Sequence, residues 1–371
     1  MGDKWNYNLF QQIYCFSMIT GIVGEIKASE QELQDAMIAT FNEVVPGLSG
    51  SWTISWGPRV YKEEDKPDTG PDNVWFAAID ETQKICVVAI AGTQSNSVPD
   101  LYQDFDVIEV VDFNAWVGQW SKDGITQPQN ADPTADTTLP YCAKGTCAGV
   151  WNVLKNVSTA ASKNIRIDEY LRSLDSSYTI VFTGHSLGGA LAPVSALGLT
   201  KANLLGDHTV KVMPSAGVSP GNEILAADYT SAFPKDPPSG EGYQVYNLDY
   251  YNTLDIVPQA WSVESEDDRN LNVILERIIH PSEDFLPDAR KVVAGAVGLS
   301  VLSRVRYTPL PGLYFTGPSP PDVVHDWKEA GDYISIGHVL AYWNETGITD
   351  FMAQFDHKIS KQLGRRPTSA R

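Results

Sequence analysis

The chain is short of the features that would send it to a membrane, a nucleic acid or a disulfide scaffold. No apolar run reaches the roughly 18 residues of a membrane-spanning helix; the best, VVAGAVGLSVL at 292–302, stops well short. Basic residues are scarce, 27 against 46 acidic ones, a formal charge of −19 that repels nucleic acid and anionic membrane surfaces. Only four cysteines occur. Cys86 sits inside an apolar run; Cys142 and Cys147 either close a small loop or stand as free thiols, and with Cys15 they form no zinc-ligand spacing. There is no internal repeat and no low-complexity tract. The N-terminus, MGDKWNYN, leads into a weak apolar patch without a clean cleavage site, so it reads poorly as a secretory leader and the expectation leans to the cytoplasm.

What is present is material for a full core: 43% hydrophobic residues over 371 positions. SEQELQDAMIATFNEVV (29–45) reads as an amphipathic helix with Ser29 as N-cap, Glu32 completing a capping box and Pro46-Gly47 as the stop. VWFAAIDETQKICVVAIAGT (74–93) reads as a hairpin, and FDVIEVVDF (105–113) as a further strand. Residues 118–146 are polar and irregular, and 147–174 follow one long helical pattern. YTIVFTG (178–184) is a continuous apolar strand of the kind buried on both faces, followed by a helix at 187–199 and strands at 208–217 and 243–250. This alternation predicts an α/β fold with a mostly parallel central sheet. The expected organisation is one domain over 1–371: a helical N-terminal segment to about residue 50, a core at 51–350, and insertions at 114–146 and 259–332.

Gly184-His185-Ser186-Leu187-Gly188 fits G-x-S-x-G at a strand-to-helix junction, the context a nucleophile elbow requires. The turn strains the serine backbone, so its neighbours at ±2 must be nearly free of side chain, and Gly184, Gly188 and Gly189 meet that need. A serine hydroxyl needs a base held by an acid. His280, His325, His338 and His357 follow at a useful distance; His208 precedes a strand, and His185 is locked in the elbow pointing away from the serine.

TIVFTGHSLGGALA resembles the nucleophile segment of the class 3 lipases, the fungal-type triacylglycerol lipase family, and other motifs follow in that family's order. VVAIAGTQS resembles its oxyanion strand, AGVSPGN its Pro-x-x-Gly-Asn stretch, YNTLDIVP its acid segment and GHVLAYW its histidine segment. The resemblance implies an α/β-hydrolase fold with Ser186 as nucleophile, Asp255 rather than Asp249 as acid, and His338 rather than His325 as base. It implies an oxyanion hole from the amides of Leu187 and Thr93, with the Thr93 hydroxyl as a further donor. Here Ala91 stands where an arginine often precedes the oxyanion glycine, and a long gap separates Asp255 from His338.

The family keeps its lid after the oxyanion strand, where Leu101, Tyr102 and Phe105 would share a helix face; Trp116 and Trp120 are a second flap candidate. The expected activity is lipase or esterase action on acylglycerols through an acyl-enzyme, with no metal or organic cofactor. Phospholipase A1, feruloyl esterase or polyester hydrolase activity would use the same triad, and a lipase-like binding protein would lack turnover. The expected partners are a lipid or other ester substrate and a transient lipid interface, with no nucleic acid; oligomeric state is left open.

Overall fold

A computed structural model describes residues 5–24, 26–91 and 106–362, with 356–362 as backbone alone. The apolar runs become strands of two sheets. In chain order these are β1 (Trp52–Tyr61), β2 (Asn73–Asp80), β3 (Ile85–Ala91), β4 (Val110–Asp112), β5 (Tyr141–Ala143), β6 (Thr179–His185), β7 (Thr209–Ser215), β8 (Gly221–Asn222), β9 (Asp249–Asn252), β10 (Tyr307–Thr308) and β11 (Gly312–Phe315). The main sheet has seven strands in the order β1-β2-β3-β6-β7-β9-β11. β1, β2 and β3 form an antiparallel meander, and from β3 onward every pairing is parallel. A small antiparallel sheet, β10-β8-β5-β4, stands beside it.

Strand β3 is apolar at every position, and β6 is buried along its middle, because both faces of the sheet are covered there. Along β3, Cys86, Val88 and Ile90 enter one core while Val87, Ala89 and Ala91 enter the other. Along β6, Ile180 and Phe182 join the first core and Val181 the second. Helices Lys144–Lys155 and Gly188–Lys201 feed the first; Leu9–Ile19 and Glu30–Val44 cover the opposite face. A third cluster gathers Ile256, Val257 and Trp261, which follow β9, with Phe285 and Ala289, Ala296 of helix Leu286–Leu302. This is the mostly parallel, helix-flanked sheet that the sequence pattern predicts.

Helix Glu30–Val44 forms as its sequence demands: Ser29 and Glu32 make a reciprocal capping box. Elsewhere tertiary pairing overrides local pattern. The long helix expected at 147–174 is two, Lys144–Lys155 and Ile167–Ser173, because Ala161 exchanges backbone hydrogen bonds of 3.1 Å with Gly57 of β1. The strand expected at 105–113 shrinks to Val110–Asp112, since the Asp112 carboxylate accepts the Ala115 amide at 2.9 Å and starts a short helix. The strand expected at 243–250 begins only at Asp249, after Asn247 turns left-handed at φ 71°. Cys142 and Cys147 are buried free thiols, as are Cys15 and Cys86. Trp116 and Trp120 are no flap: both are buried in the first core, their rings edge to face at 4.9 Å. Among the described residues no helix is long and apolar enough to cross a membrane.

Candidate active site

Ser186 stands between the end of β6 and helix Gly188–Lys201 with φ +62°, a left-handed backbone that costs a side-chain-bearing residue roughly 1 kcal/mol or more. Its geometry is held from both sides. The Ser186 amide donates to the Ser215 carbonyl of β7 at 3.0 Å, and the Ser186 carbonyl accepts from Gly189 at 2.8 Å. The glycines earn their places by close approach. A Cβ on Gly188 would overlap the Ile90 carbonyl, one on Gly189 the Ser215 carbonyl, and one on Gly184 the carbonyls of Gly188 and Ile90. Ser186 and Leu187 are partly exposed above this packed base. Among the described residues the Leu187 amide has no hydrogen-bond partner, so the first N–H of the new helix is free beside the serine.

Asp255 lies three residues beyond β9 and is buried. Its Oδ1 accepts the Val257 amide at 3.0 Å; its Oδ2 faces His338 Nδ1 at 2.7 Å and the Tyr342 hydroxyl at 3.0 Å. A carboxylate there obliges the imidazole to carry its hydrogen on Nδ1, leaving Nε2 with the lone pair a general base needs. His338 rides on a wide π-type turn, Ile336–Leu340, between helices Trp327–Ser335 and Ala341–Thr346. Such turns are rare and recur at functional sites. Gly337 is buried in it, and the Gly337 carbonyl accepts from Asn252 Nδ2 at 2.9 Å. Tyr342 is fully buried, and its hydroxyl also accepts the Asn252 amide at 2.8 Å. Burial, then the Asp255 charge, pushes the Tyr342 phenol well above its ordinary value, so it stays a donor.

The rival residues are engaged elsewhere. Asp249 forms a buried ion pair with Arg269 and accepts the Gly217 amide at 3.1 Å. His325 is exposed, and among the described residues only its backbone amide is bonded, donating to Glu329. His185 is packed into the site: its Nδ1 lies 3.0 Å from Ser215 Oγ and its Nε2 2.7 Å from the His338 carbonyl. Burial first, and the neighbouring His338 charge second, push the His185 imidazole well below its ordinary 6.5, against the pull of that carbonyl.

The structure therefore brings Asp255 and His338 into direct contact and stacks the ring of His338 4.6 Å from the ring of His185, the residue before Ser186. Among the described residues no hydrogen bond joins the Ser186 hydroxyl to His338. Thr93, Leu101, Tyr102 and Phe105 lie outside the described residues. Sequence reasoning missed Tyr342, Asn252 and Ser215. Tyr342, four residues after His338, carried the one readable signal, a helical spacing; the other two come from neighbouring strands.

The family model described as lipase (class 3) matches residues 87–264. The structure superposes on that of M37 lipase with a TM-score of 0.70 at 19% identity, covering 96% of this chain and 98% of that one. Weaker likenesses are to the LIP2 lipase of Yarrowia lipolytica, TM-score 0.41 at 20% identity over 68% of this chain and 73% of that one, and to a lipase of Rhizopus microsporus var. chinensis, TM-score 0.40 at 15% identity over 68% and 66%. No curated protein matches the sequence.

Proposed function

We propose that this chain is a carboxylic ester hydrolase of the class 3 lipase family, that Ser186, His338 and Asp255 are its catalytic triad and that acylglycerols are its substrate. The observation that carries the proposal is the 2.7 Å contact between His338 Nδ1 and Asp255 Oδ2, made on a turn moored beside the Ser186 elbow. Ser186 Oγ attacks the ester carbonyl carbon while His338 Nε2 takes its proton. The imidazolium then protonates the leaving alkoxide as the carbon–oxygen bond breaks. A water, deprotonated by the same nitrogen, attacks the acyl carbon; the bond to Ser186 Oγ breaks, the imidazolium returns its proton to that oxygen, and the acid leaves. Asp255 holds the Nδ1–H tautomer and stabilises the cation formed at each step. The Leu187 amide, with that of Thr93 from the family resemblance, receives the oxyanion; each such donor is worth about 3 kcal/mol in the transition state.

Exposed apolar side chains, on the base-bearing turn and on a separate helix, support a lipid ester. Ile336 and Leu340, on the His338 turn, are exposed. Helix Leu286–Leu302 buries only Ala289, Ala296 and Ser300, and its end leaves Val301 and Leu302 60% and 63% exposed. With a charge of −19, a neutral or zwitterionic surface is favoured over an anionic one. The test is hydrolysis of a chain-length series of glycerol esters by wild type and Ser186→Ala. The proposal expects turnover lost by at least about a thousandfold in the variant; equal rates for the two proteins refute it.

A further inference from the structure

The ester-hydrolase reading leaves His185 without a task, yet its ring is among the most constrained at the site. A main-chain carbonyl can only accept, so the 2.7 Å contact with the His338 carbonyl puts the hydrogen on His185 Nε2. Neutral His185 then offers Nδ1 as acceptor to the Ser215 hydroxyl at 3.0 Å. Ser215 is itself buried, and its carbonyl holds the Ser186 amide. The charged or titratable groups around the ring are His338, 4.6 Å away and tilted by 33°, and Tyr342, edge-on at 4.8 Å with Asp255 behind it.

The turn it touches has a particular need. The π-type turn closes with the Ala341 amide on the Ile336 carbonyl, and the next two carbonyls, of Gly337 and His338, both accept from side chains. One comes from Asn252, the last residue of β9; the other from His185, the last residue of β6. The base-bearing turn is thus tied to the strand that leads to the acid and to the strand that leads to the nucleophile.

We propose that His185 is a positioning residue: adjacent to Ser186 in the chain, it grips the main chain of His338 and so sets where the base stands relative to the Ser186 hydroxyl. The inference rests on the triad reading and adds a device to it. Only one imidazole of the stacked pair takes the proton in turnover, and the other serves as a neutral Nε2–H donor. A misplacement of about 1 Å at such a site costs on the order of a hundredfold in rate.

The test uses the full chain, a soluble short-chain ester and active-site titration, so that kcat is counted per competent site. His185→Phe keeps a ring but has no donor; His185→Gln restores an N–H near the position of Nε2. The expected result is a 10- to 100-fold loss of kcat in His185→Phe at a KM within about twofold of wild type, with at least half of the loss in log units recovered by His185→Gln. A kcat per site in His185→Phe equal to wild type overturns the proposal, as does a Gln variant no better than Phe. Should His185→Phe fail to fold, nitrogen-15 NMR of the wild-type histidines decides: a neutral Nε2–H tautomer at His185 is expected, and an Nδ1–H tautomer contradicts it. A Ser186→Ala variant that keeps wild-type turnover sinks the triad reading itself. An inactive Ser186→Ala beside a fully active His185→Phe sinks only this inference.

Discussion

The hydroxyl of Tyr342 and the imidazole of His338 converge on one oxygen, Asp255 Oδ2, at 3.0 and 2.7 Å. They are one helical turn apart in the chain, so a single segment supplies the proposed base and a second donor to the proposed acid. Hydrogen bonds to a charged group are worth about 1.5–3 kcal/mol, and removing a partner leaves the buried oxygen short of one. Tyr342→Phe should therefore lower kcat by roughly 10- to 100-fold with little change in KM, because the weakened acid is felt when the imidazolium forms. It should also lower stability, since the Asn252 amide loses its acceptor. Steady-state kinetics with a melt of the same sample check this; an unaltered kcat would show that His338 and the Val257 amide hold Asp255 without Tyr342.

Gly188 and Gly206 separate two kinds of glycine requirement. A methyl on Gly188 meets the backbone carbonyl of Ile90, which cannot move without disturbing the β2–β3 pairing of Ile90 with Trp75, whereas a methyl on Gly206 meets nothing within 4 Å and suffers only from φ +59°. Gly206→Ala should cost about 1 kcal/mol. Gly188→Ala should cost several times more, or leave no folded protein, because overpacking and backbone displacement add. Urea unfolding of both variants tests the ordering; equal losses would contradict the close approach.

His185 also makes a pH prediction. Burial holds its folded-state affinity for protons well below the ordinary 6.5, so the unfolded chain binds a proton that the folded chain refuses. The stability tied to this residue is therefore complete above pH 6.5 and is lost as pH falls from there toward the depressed folded value. The slope contributed is at most about 1.4 kcal/mol per pH unit. His185→Gln should be flatter than wild type between pH 6.5 and 5 in denaturant midpoints; identical slopes would mean that His185 titrates alike in both states.

Val301 and Leu302, exposed at the end of an apolar helix, offer a test of lipid contact. Lysines at both positions should lower the ratio of emulsion to soluble-ester turnover several-fold, since desolvating each ammonium at an oil surface is costly. A ratio equal to wild type on neutral glyceride emulsions would place the interface elsewhere.

Much of this fold could be read along the chain because its signals are local. Ser29 and Glu32 cap their helix as written, and the apolar runs of β3 and β6 need burial on both faces wherever they sit. Asp255 and His338 were legible through short motifs, although 83 residues separate them. What stayed hidden depends on distant partners. Ala161 breaks a helical pattern because Gly57 of an edge strand offers it hydrogen bonds. The helical spacing of Trp116 and Trp120 fitted a flap as well as a core, and only the packing of Trp120 against Gly198 decides for the core. The role of His185 needs the His338 turn to arrive from the far end of the chain.

The central claim is that Ser186 is an alcohol made nucleophilic by His338, and fluorophosphonate labelling followed by peptide mass spectrometry tests it most directly. The account predicts one phosphonyl group per chain, on Ser186, with labelling slowed by at least a hundredfold in His338→Ala and in Asp255→Asn to a lesser degree. A label on another residue, or on Ser186 at an undiminished rate without His338, would contradict it.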